Sequence, residues 1–156
     1  MPQLVKGGKY IFGWSVVSPD GTAGIPEEAR NEYRLTPGET VIILSGSRTS
    51  GGIIISRRAV LAETDISRML ERNPDLDKYR IEKGAPLSYG KRVLCWTTIL
   101  DSGSLKLPLP TWQKYGIQPG DRLLSGRGSY LGLAMLARGP ITQEALKHPE
   151  LITVNA

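Results

Sequence analysis

Two segments of the sequence combine glycine, serine and arginine, the residue types that bind anions. They occupy 45–52 (SGSRTSGG) and 125–130 (SGRGSY). Glycine lets backbone N–H groups converge, serine hydroxyls add donors, and arginine supplies positive charge. The two segments are typical of hairpin connections, and the alternative is that they form a site for a small anionic ligand. The candidate ligand-binding residues are Ser47, Arg48, Ser50, Gly51, Arg127, Gly128 and Ser129.

Residues for acid–base, nucleophilic or metal chemistry are sparse. The chain has one cysteine, Cys95, and one histidine, His148. General acid–base catalysis needs titratable groups held together with shifted pKa values, and zinc needs several soft ligands. The sequence shows no such grouping, so we expect a protein that is not an enzyme and needs no metal or cofactor.

The positive charge of the chain is concentrated in its second half. The formal net charge is +5 over 156 residues. Residues 1–82 hold eleven basic and eleven acidic side chains, whereas residues 83–156 hold nine and four. This distribution is compatible with a polyanionic partner such as nucleic acid.

Neither a membrane span nor a leader is predicted. No uncharged run exceeds ten residues, whereas a bilayer-spanning helix needs roughly 20 apolar residues. The segment that follows Lys9 is short and lacks a small-residue cleavage site. We therefore expect a cytoplasmic protein without a membrane partner.

An internal repeat organises the elements that must position these residues. Shifted by 82 residues, the sequence matches itself without gaps from Trp14 to Arg48. The identical positions are mostly glycine, proline and aromatic residues, which fix backbone geometry. They are Trp14/Trp96, Gly21/Gly103, Pro26/Pro108, Tyr33/Tyr115, Pro37/Pro119, Gly38/Gly120, Gly46/Gly128 and Ser47/Ser129.

Each copy predicts the same order of elements. A strand (10–17; 93–100) leads through a glycine turn to a short second strand that ends at Pro26 or Pro108. A short helix then extends to Tyr33 or Tyr115 and stops before a Pro-Gly turn. Another strand (40–44; 122–124), the Gly/Ser loop and an apolar strand (53–55; 131–137) complete the copy.

The copies differ after their last strand. Apolar residues at helical spacing between Ala59 and Leu70 predict an extra helix that ends at Asn73, and a helix over 141–147 closes the chain. We assign 1–73 to the first copy, 74–90 to a linker and 91–156 to the second copy. Because a mostly β unit of about 40 residues buries too little apolar surface alone, we expect the copies to interlock in one barrel domain.

This pattern resembles the AbrB/MazE/SpoVT family of swapped-hairpin DNA-binding domains. The resemblance is carried by 21–30 (GTAGIPEEAR) with 35–39 (LTPGE), and by 103–108 (GSLKLP) with 116–121 (GIQPGD). It implies a mixed α/β, β-dominated small barrel with pseudo-twofold symmetry, of the swapped-hairpin or double-psi type. In this barrel one chain supplies both copies of the repeat, with short flanking helices. It further implies an antitoxin-like or AbrB-like regulator of transcription that binds DNA with cations on its hairpins and helix.

Carried over residue by residue, the resemblance keeps Arg30 and loses three other cations. The family usually has arginine or lysine directly after the turn glycine, where this chain has Thr22 and Ser104, and Trp112 stands at the second helix position. Phosphate contacts dominate affinity for duplex DNA, so other cations must replace them. The candidate DNA-binding residues are Lys6, Lys9, Arg30, Arg34, Lys91, Arg92, Lys106 and Lys114.

Three functions of different class follow from the sequence. DNA binding predicts that these cations share one face. The alternative, a ligand-binding module that has lost DNA binding, predicts that Arg48 and Arg127 converge in a concave site. An interaction scaffold predicts an exposed apolar patch on the helix between 59 and 70. The pseudo-dimeric chain is compatible with a monomer or with a homodimer of such chains.

Overall fold

Short strands and helices alternate through residues 11–127 and 129–155, the part of the chain that this computed structural model describes. The fold is mixed α/β with strands dominant, as predicted. The strands are β1 (Ile11–Val16), β2 (Thr22–Ala23), β3 (Thr40–Ser45), β4 (Ile53–Ser56), β5 (Leu87–Tyr89), β6 (Arg92–Thr98), β7 (Leu105–Lys106), β8 (Arg122–Gly126), β9 (Leu133–Leu136) and β10 (Thr153–Val154). The helices are α1 (Glu27–Tyr33), α2 (Arg58–Leu61), α3 (Asp65–Glu71), α4 (Pro74–Asp77), α5 (Leu109–Lys114) and α6 (Pro140–Ala145).

Eight strands form one sheet and two form a separate ribbon. The order in the sheet is β10-β1-β8-β9-β4-β3-β6-β5, and β2 pairs with β7 in the ribbon. Because β10 and β5 lie at opposite edges of this order, the described strands form an open sheet. The closed barrel expected from the sequence is not found among them.

The first strand of each copy pairs with the third strand of the other copy. Trp14 of β1 lies opposite Leu124 of β8, and Trp96 of β6 lies opposite Ile42 of β3. The same shift of 82 residues relates 14 to 96 and 42 to 124, so the two ladders have equivalent registers. An internal twofold axis therefore runs between β4 and β9, which also pair.

Both faces of the sheet are covered. Residues that alternate along a strand point to opposite faces. Ile43 and Ile55 belong to a core that includes α1, α5 and the ribbon, whereas Ile42 and Ile54 pack against α2, α3 and α4. Beside that second cluster, residues around Trp14 and α6 form a third. On this second face of the sheet, α2–α4 cover one side and α6 covers the other, and β4 and β9 lie between them.

The helices of the repeat have the predicted extents, and the extra helix differs. α1 ends at Tyr33 and α5 at Lys114. The single helix expected from Ala59 onward is divided into α2 and α3, because the Thr64 hydroxyl donates to the Leu61 carbonyl at 2.7 Å and Thr64 begins the second helix. Leu61, Ile66 and Leu70 are buried, so these helices do not present the apolar patch that a scaffold would need.

The segment 74–90, predicted as a linker, holds two elements. It contains α4, whose Leu76 is buried, and the edge strand β5, which pairs with β6. The C-terminal helix α6 spans 140–145 rather than 141–147, and β10 was not predicted. Among the described residues, no helix is long and apolar enough to cross a bilayer.

Candidate functional site

Both Gly/Ser loops line one groove on the internal twofold axis, which they reach from opposite ends of the antiparallel strands β3, β4, β9 and β8. The groove encloses about 270 Å³ between the coverings of α2–α4 and α6. Apolar side chains from β4, β9 and α6 line its floor, among them Ile54, Ala134 and Ile141. Its polar rim is formed by Ser45, Ser47, Ser50, Arg92, Arg127, Ser129 and Tyr130.

The first loop is held by contacts that need glycine. Gly46 N–H donates to the Gly52 carbonyl at 3.0 Å and Gly51 N–H to the Ser47 carbonyl at 2.7 Å. Gly52 has φ +71°, and a Cβ there would lie 2.0 Å from the Met135 carbonyl oxygen. The loop therefore packs closely against β9, which places its serines over the groove.

Cations from both copies surround this groove, and we call the surface around it the loop end (Arg48, Lys91, Arg92, Arg127 and Arg138). Arg48, Lys91, Arg92 and Arg138 lie beside the first loop, and Arg127 lies across the groove in the second loop. Arg92 Nη1 lies 3.4 Å from the Ser45 carbonyl oxygen, and Arg138 Nη2 donates to the Arg48 carbonyl at 2.9 Å. Lys91 is exposed beside Arg92. The loop end is therefore a basic surface that straddles the axis.

One of these cations already has a partner. Arg127 forms a two-point ion pair with Glu32 at the end of α1. The hydrogen bonds from Arg127 hold the pKa of the Glu32 carboxyl below its usual range. The pair is largely exposed. Glu32 therefore offsets part of the positive charge of Arg127, but the Arg127 side chain stays accessible to a ligand.

The predicted ligand-binding residues come together in part. Ser47, Ser50, Gly51, Arg127 and Ser129 line the groove. Arg48 is not among its lining residues; its backbone carbonyl accepts a hydrogen bond from Arg138, which also lies outside the lining. Gly128 lies outside the described residues.

The predicted DNA-binding cations do not share one face. Lys91 and Arg92 are at the loop end, whereas Lys106 lies on the ribbon β2–β7, next to the opposite end of β6. A seven-residue strand spans about 20 Å. Lys114 is exposed on α5, and Lys6 and Lys9 lie outside the described residues.

The surroundings of the ribbon carry charges of both signs, so we distinguish this ribbon end (Asp20, Glu27, Glu28, Lys106) from the loop end. The Thr22 hydroxyl and N–H, with a smaller contribution from Lys106, lower the pKa of Asp20. Glu27 and Glu28 are exposed in the first turn of α1. Repulsion by these carboxylates makes the ribbon end a poor surface for a polyanion.

Arg30 packs against the turn of the other copy. Its guanidinium lies against Gly103, where a Cβ would come within 2.6 Å of it, and its Nε donates to the Ile25 carbonyl at 3.2 Å. The equivalent residue, Trp112, is buried and donates from Nε1 to the Gly21 carbonyl at 2.8 Å. Arg30 thus fills in the first copy the place of a core tryptophan.

Three arginines of the first copy line a separate depression. Arg30, Arg34 and Arg57 border about 480 Å³ beside the end of α1, together with Glu39. Arg57 was not among the residues predicted from the sequence, since it has no counterpart in the repeat. Arg138 and Tyr130 were not predicted either; their only signal was their position next to the second loop and the strand that follows it.

The residues weighed for catalysis are not assembled into a site. Burial raises the pKa of the Cys95 thiol to about 11, and the Tyr115 hydroxyl lies 3.3 Å from its sulfur. His148 contacts Glu144 and Glu150 near the C-terminus. Within residues 11–127 and 129–155, no group of three or more potential ligands is arranged to hold a metal ion.

Comparison with known proteins does not identify a function, so we infer the function from the geometry of these sites. No family model, curated protein or solved structure matches this chain.

Proposed function

We propose that this chain is a DNA-binding regulator of the AbrB/SpoVT type that contacts duplex DNA through the loop end. The observation that carries the proposal is the meeting of cations from both copies across the internal axis. Arg48 lies in the first loop (45–52), Arg92 and Arg138 of the second copy contact backbone carbonyls of that loop, and Arg127 lies in the second loop across the groove. Neutralisation of phosphates by such cations supplies most of the affinity for duplex DNA.

The pairing of strands supports the same proposal. In the family that the sequence resembles, two chains exchange hairpins. Here β1 pairs with β8 and β6 with β3, so each copy completes the other. A single chain would thereby present a pseudo-twofold surface, the symmetry that a pseudo-palindromic duplex offers to a dimer.

The proposal moves the docking surface from the helices to the loops. Arg30, which the resemblance implies as a DNA contact, packs on backbone, and Lys106, a candidate to replace a lost family cation, lies near the Asp20 carboxylate. Lys91 and Arg92 lie at the loop end, where Glu32 pairs with a neighbouring cation. In this proposal Lys91 and Arg92 contact phosphates, and Arg30 is structural.

Titration of a mixed-sequence duplex at several salt concentrations tests the proposal by fluorescence anisotropy. We expect a log–log salt slope of about −3 or steeper, since each phosphate contact contributes about −0.9. The double variant Lys91→Glu/Arg92→Glu should lose binding. Its matched control, Lys106→Glu/Lys114→Glu, reverses two charges at exposed positions outside the loop end and should retain it. Absence of binding at low salt, or loss in the control alone, would refute the proposal.

The groove itself favours a second candidate function, the binding of an amphipathic anion. An apolar floor with a rim of hydroxyls and arginines is suited to a ligand that has an apolar body and one acidic group. The probe 1-anilinonaphthalene-8-sulfonate has this chemistry. We expect its fluorescence to rise with the native protein and to fall with Ala134→Phe, which fills the floor. Equal fluorescence with both proteins would exclude the groove.

A further inference from the structure

The arginine depression beside α1 is specific to one copy. Arg30, Arg34 and Arg57 border it, and the fold places Trp112, Gly116 and Ala137 at the equivalent positions of the second copy. Arg57 and Ala137 each directly follow the last strand of their copy. Since the second copy forms the same elements with Gly116 and Ala137, the fold does not require Arg34 and Arg57, whereas Arg30 packs against Gly103.

Arg34 also adopts a backbone conformation that its residue type disfavours. Its φ is +57°, in the left-handed region, and Gly116 takes φ +80° at the same position of the second copy. Glycine is the usual residue there because a Cβ raises the energy of this conformation. The chain therefore keeps an arginine where the equivalent helix end is closed by glycine, and the side chain projects beside the depression.

These guanidinium groups are available to a ligand. Among the residues that the structure describes, no carboxylate lies within ion-pair distance of Arg34 or Arg57, although Glu39 also borders the depression. With three arginines and one glutamate, the lining is positive. Arginine forks match the oxygens of a phosphate group in pairs.

An exposed aromatic ring lies next to the same arginines. Arg34 and Arg57 also border an adjoining pocket of about 230 Å³, whose other walls include Tyr130, Val60 and the hydroxyl-bearing residues Ser56 and Ser129. Glu32 borders this pocket as well, where its carboxylate is paired with Arg127. Tyr130 is 78% exposed. A planar tyrosine ring that is largely in solvent offers a face for stacking.

We propose that this composite pocket binds a nucleotide, with its phosphate on Arg34 and Arg57 and its base on Tyr130. The two arginines form the wall that both cavities share, so one ligand with a phosphate and a planar base reaches both features. Arg30 contributes charge from the far side while its Nε is held by Ile25. The site shares Ser129 and Tyr130 with the rim of the groove, but its phosphate-binding residues Arg34 and Arg57 are not among the loop-end cations.

Isothermal titration with AMP, GMP, CMP and UMP tests the site, with adenosine and inorganic phosphate as partial ligands. We expect at least one nucleotide to bind more than tenfold more tightly than either part alone. Arg34→Gly/Arg57→Gln should weaken that binding at least tenfold, because it removes both phosphate contacts. Tyr130→Ala should weaken it roughly fivefold or more, as expected when a base loses its stacking partner.

Controls separate this proposal from DNA binding and from general charge effects. Lys106→Gln/Lys114→Gln removes two charges outside the site and should leave nucleotide affinity unchanged. Lys91→Glu/Arg92→Glu, designed to abolish duplex binding, should still bind the nucleotide. If none of the four nucleotides binds at millimolar concentration, or if inorganic phosphate binds as tightly as the best nucleotide, the proposal is wrong.

Discussion

Arg34 and Gly116 end the two equivalent helices in the same left-handed conformation. In each copy the following residue donates its N–H to a carbonyl five positions earlier, Leu35 to Arg30 at 2.9 Å and Ile117 to Trp112 at 3.0 Å. The same closure is thus built once with glycine and once with arginine. Only the arginine carries the cost of a Cβ at positive φ.

Replacing Arg34 by glycine and by alanine isolates that cost. Both variants remove the charge, but alanine keeps the Cβ. We expect Arg34→Gly to be more stable than Arg34→Ala by about 1 kcal/mol, measured as the free energy of unfolding in urea. At the mirror position, Gly116→Ala should destabilise by a similar amount. Equal stability of the two Arg34 variants would contradict a strained backbone at this residue.

Neutralising Glu32 should strengthen duplex binding. The Glu32 carboxylate pairs with Arg127 at the loop end, so Glu32→Gln restores one positive charge to the proposed DNA surface. We expect higher affinity at low salt and a salt slope steeper by about 0.9, measured by anisotropy. Glu27→Gln makes the same charge change at the ribbon end and should have a smaller effect. If both variants gain equally, the loop end is not the contact surface.

The contact of Trp112 with Gly21 should contribute to the stability of the paired copies. Trp112→Phe removes the indole donor and leaves space in a fully buried site, so we expect a loss of about 1–3 kcal/mol in the free energy of unfolding. Trp96→Phe removes an equivalent indole donor, to the Ile81 carbonyl at 2.8 Å, from a half-buried site. Because water can replace that contact, its loss should be smaller.

Stability should fall in alkaline solution because of Cys95. Burial raises the pKa of its thiol from 9.0 to about 11, so the unfolded chain loses this proton first as the pH rises. The stabilisation is fully present below pH 9 and decreases between about pH 9 and 11, by up to ~3 kcal/mol. Cys95→Ala should show a shallower decrease of unfolding free energy over that range. An unchanged slope would exclude Cys95 as its source.

The repeat made much of the fold predictable. Glycine and proline at 21, 26, 37 and 38, repeated at 103, 108, 119 and 120, mark the ends of the same elements in both copies. Such residues determine turns by their own backbone restrictions, which are local. Strand exchange was expected from the family resemblance. By contrast, β5 and β10 have three and two residues, too few for a pattern of alternation.

The candidate sites were less predictable because they depend on pairing. Ser47 and Ser129 were predicted to share a site only because they occupy equivalent Gly/Ser loops of the repeat. Both residues line the groove. Arg57 and Tyr130 are 73 positions apart in the chain and share a pocket only because β4 lies beside β9. The distribution of cations between the ribbon end and the loop end likewise follows from strand direction, which composition and charge do not reveal.

The exchanged ladders also bear on how the protein is made. Trp14 of β1 lies opposite Leu124 of β8, so β1 leaves the ribosome more than 100 residues before its partner strand in that ladder is translated. Pairings so distant in sequence close slowly. Throughout that interval β1 is an unprotected edge that is prone to association with other chains. Nascent chains on one messenger are therefore prone to exchange strands with each other, in the way that the two copies of the repeat exchange strands within the folded chain.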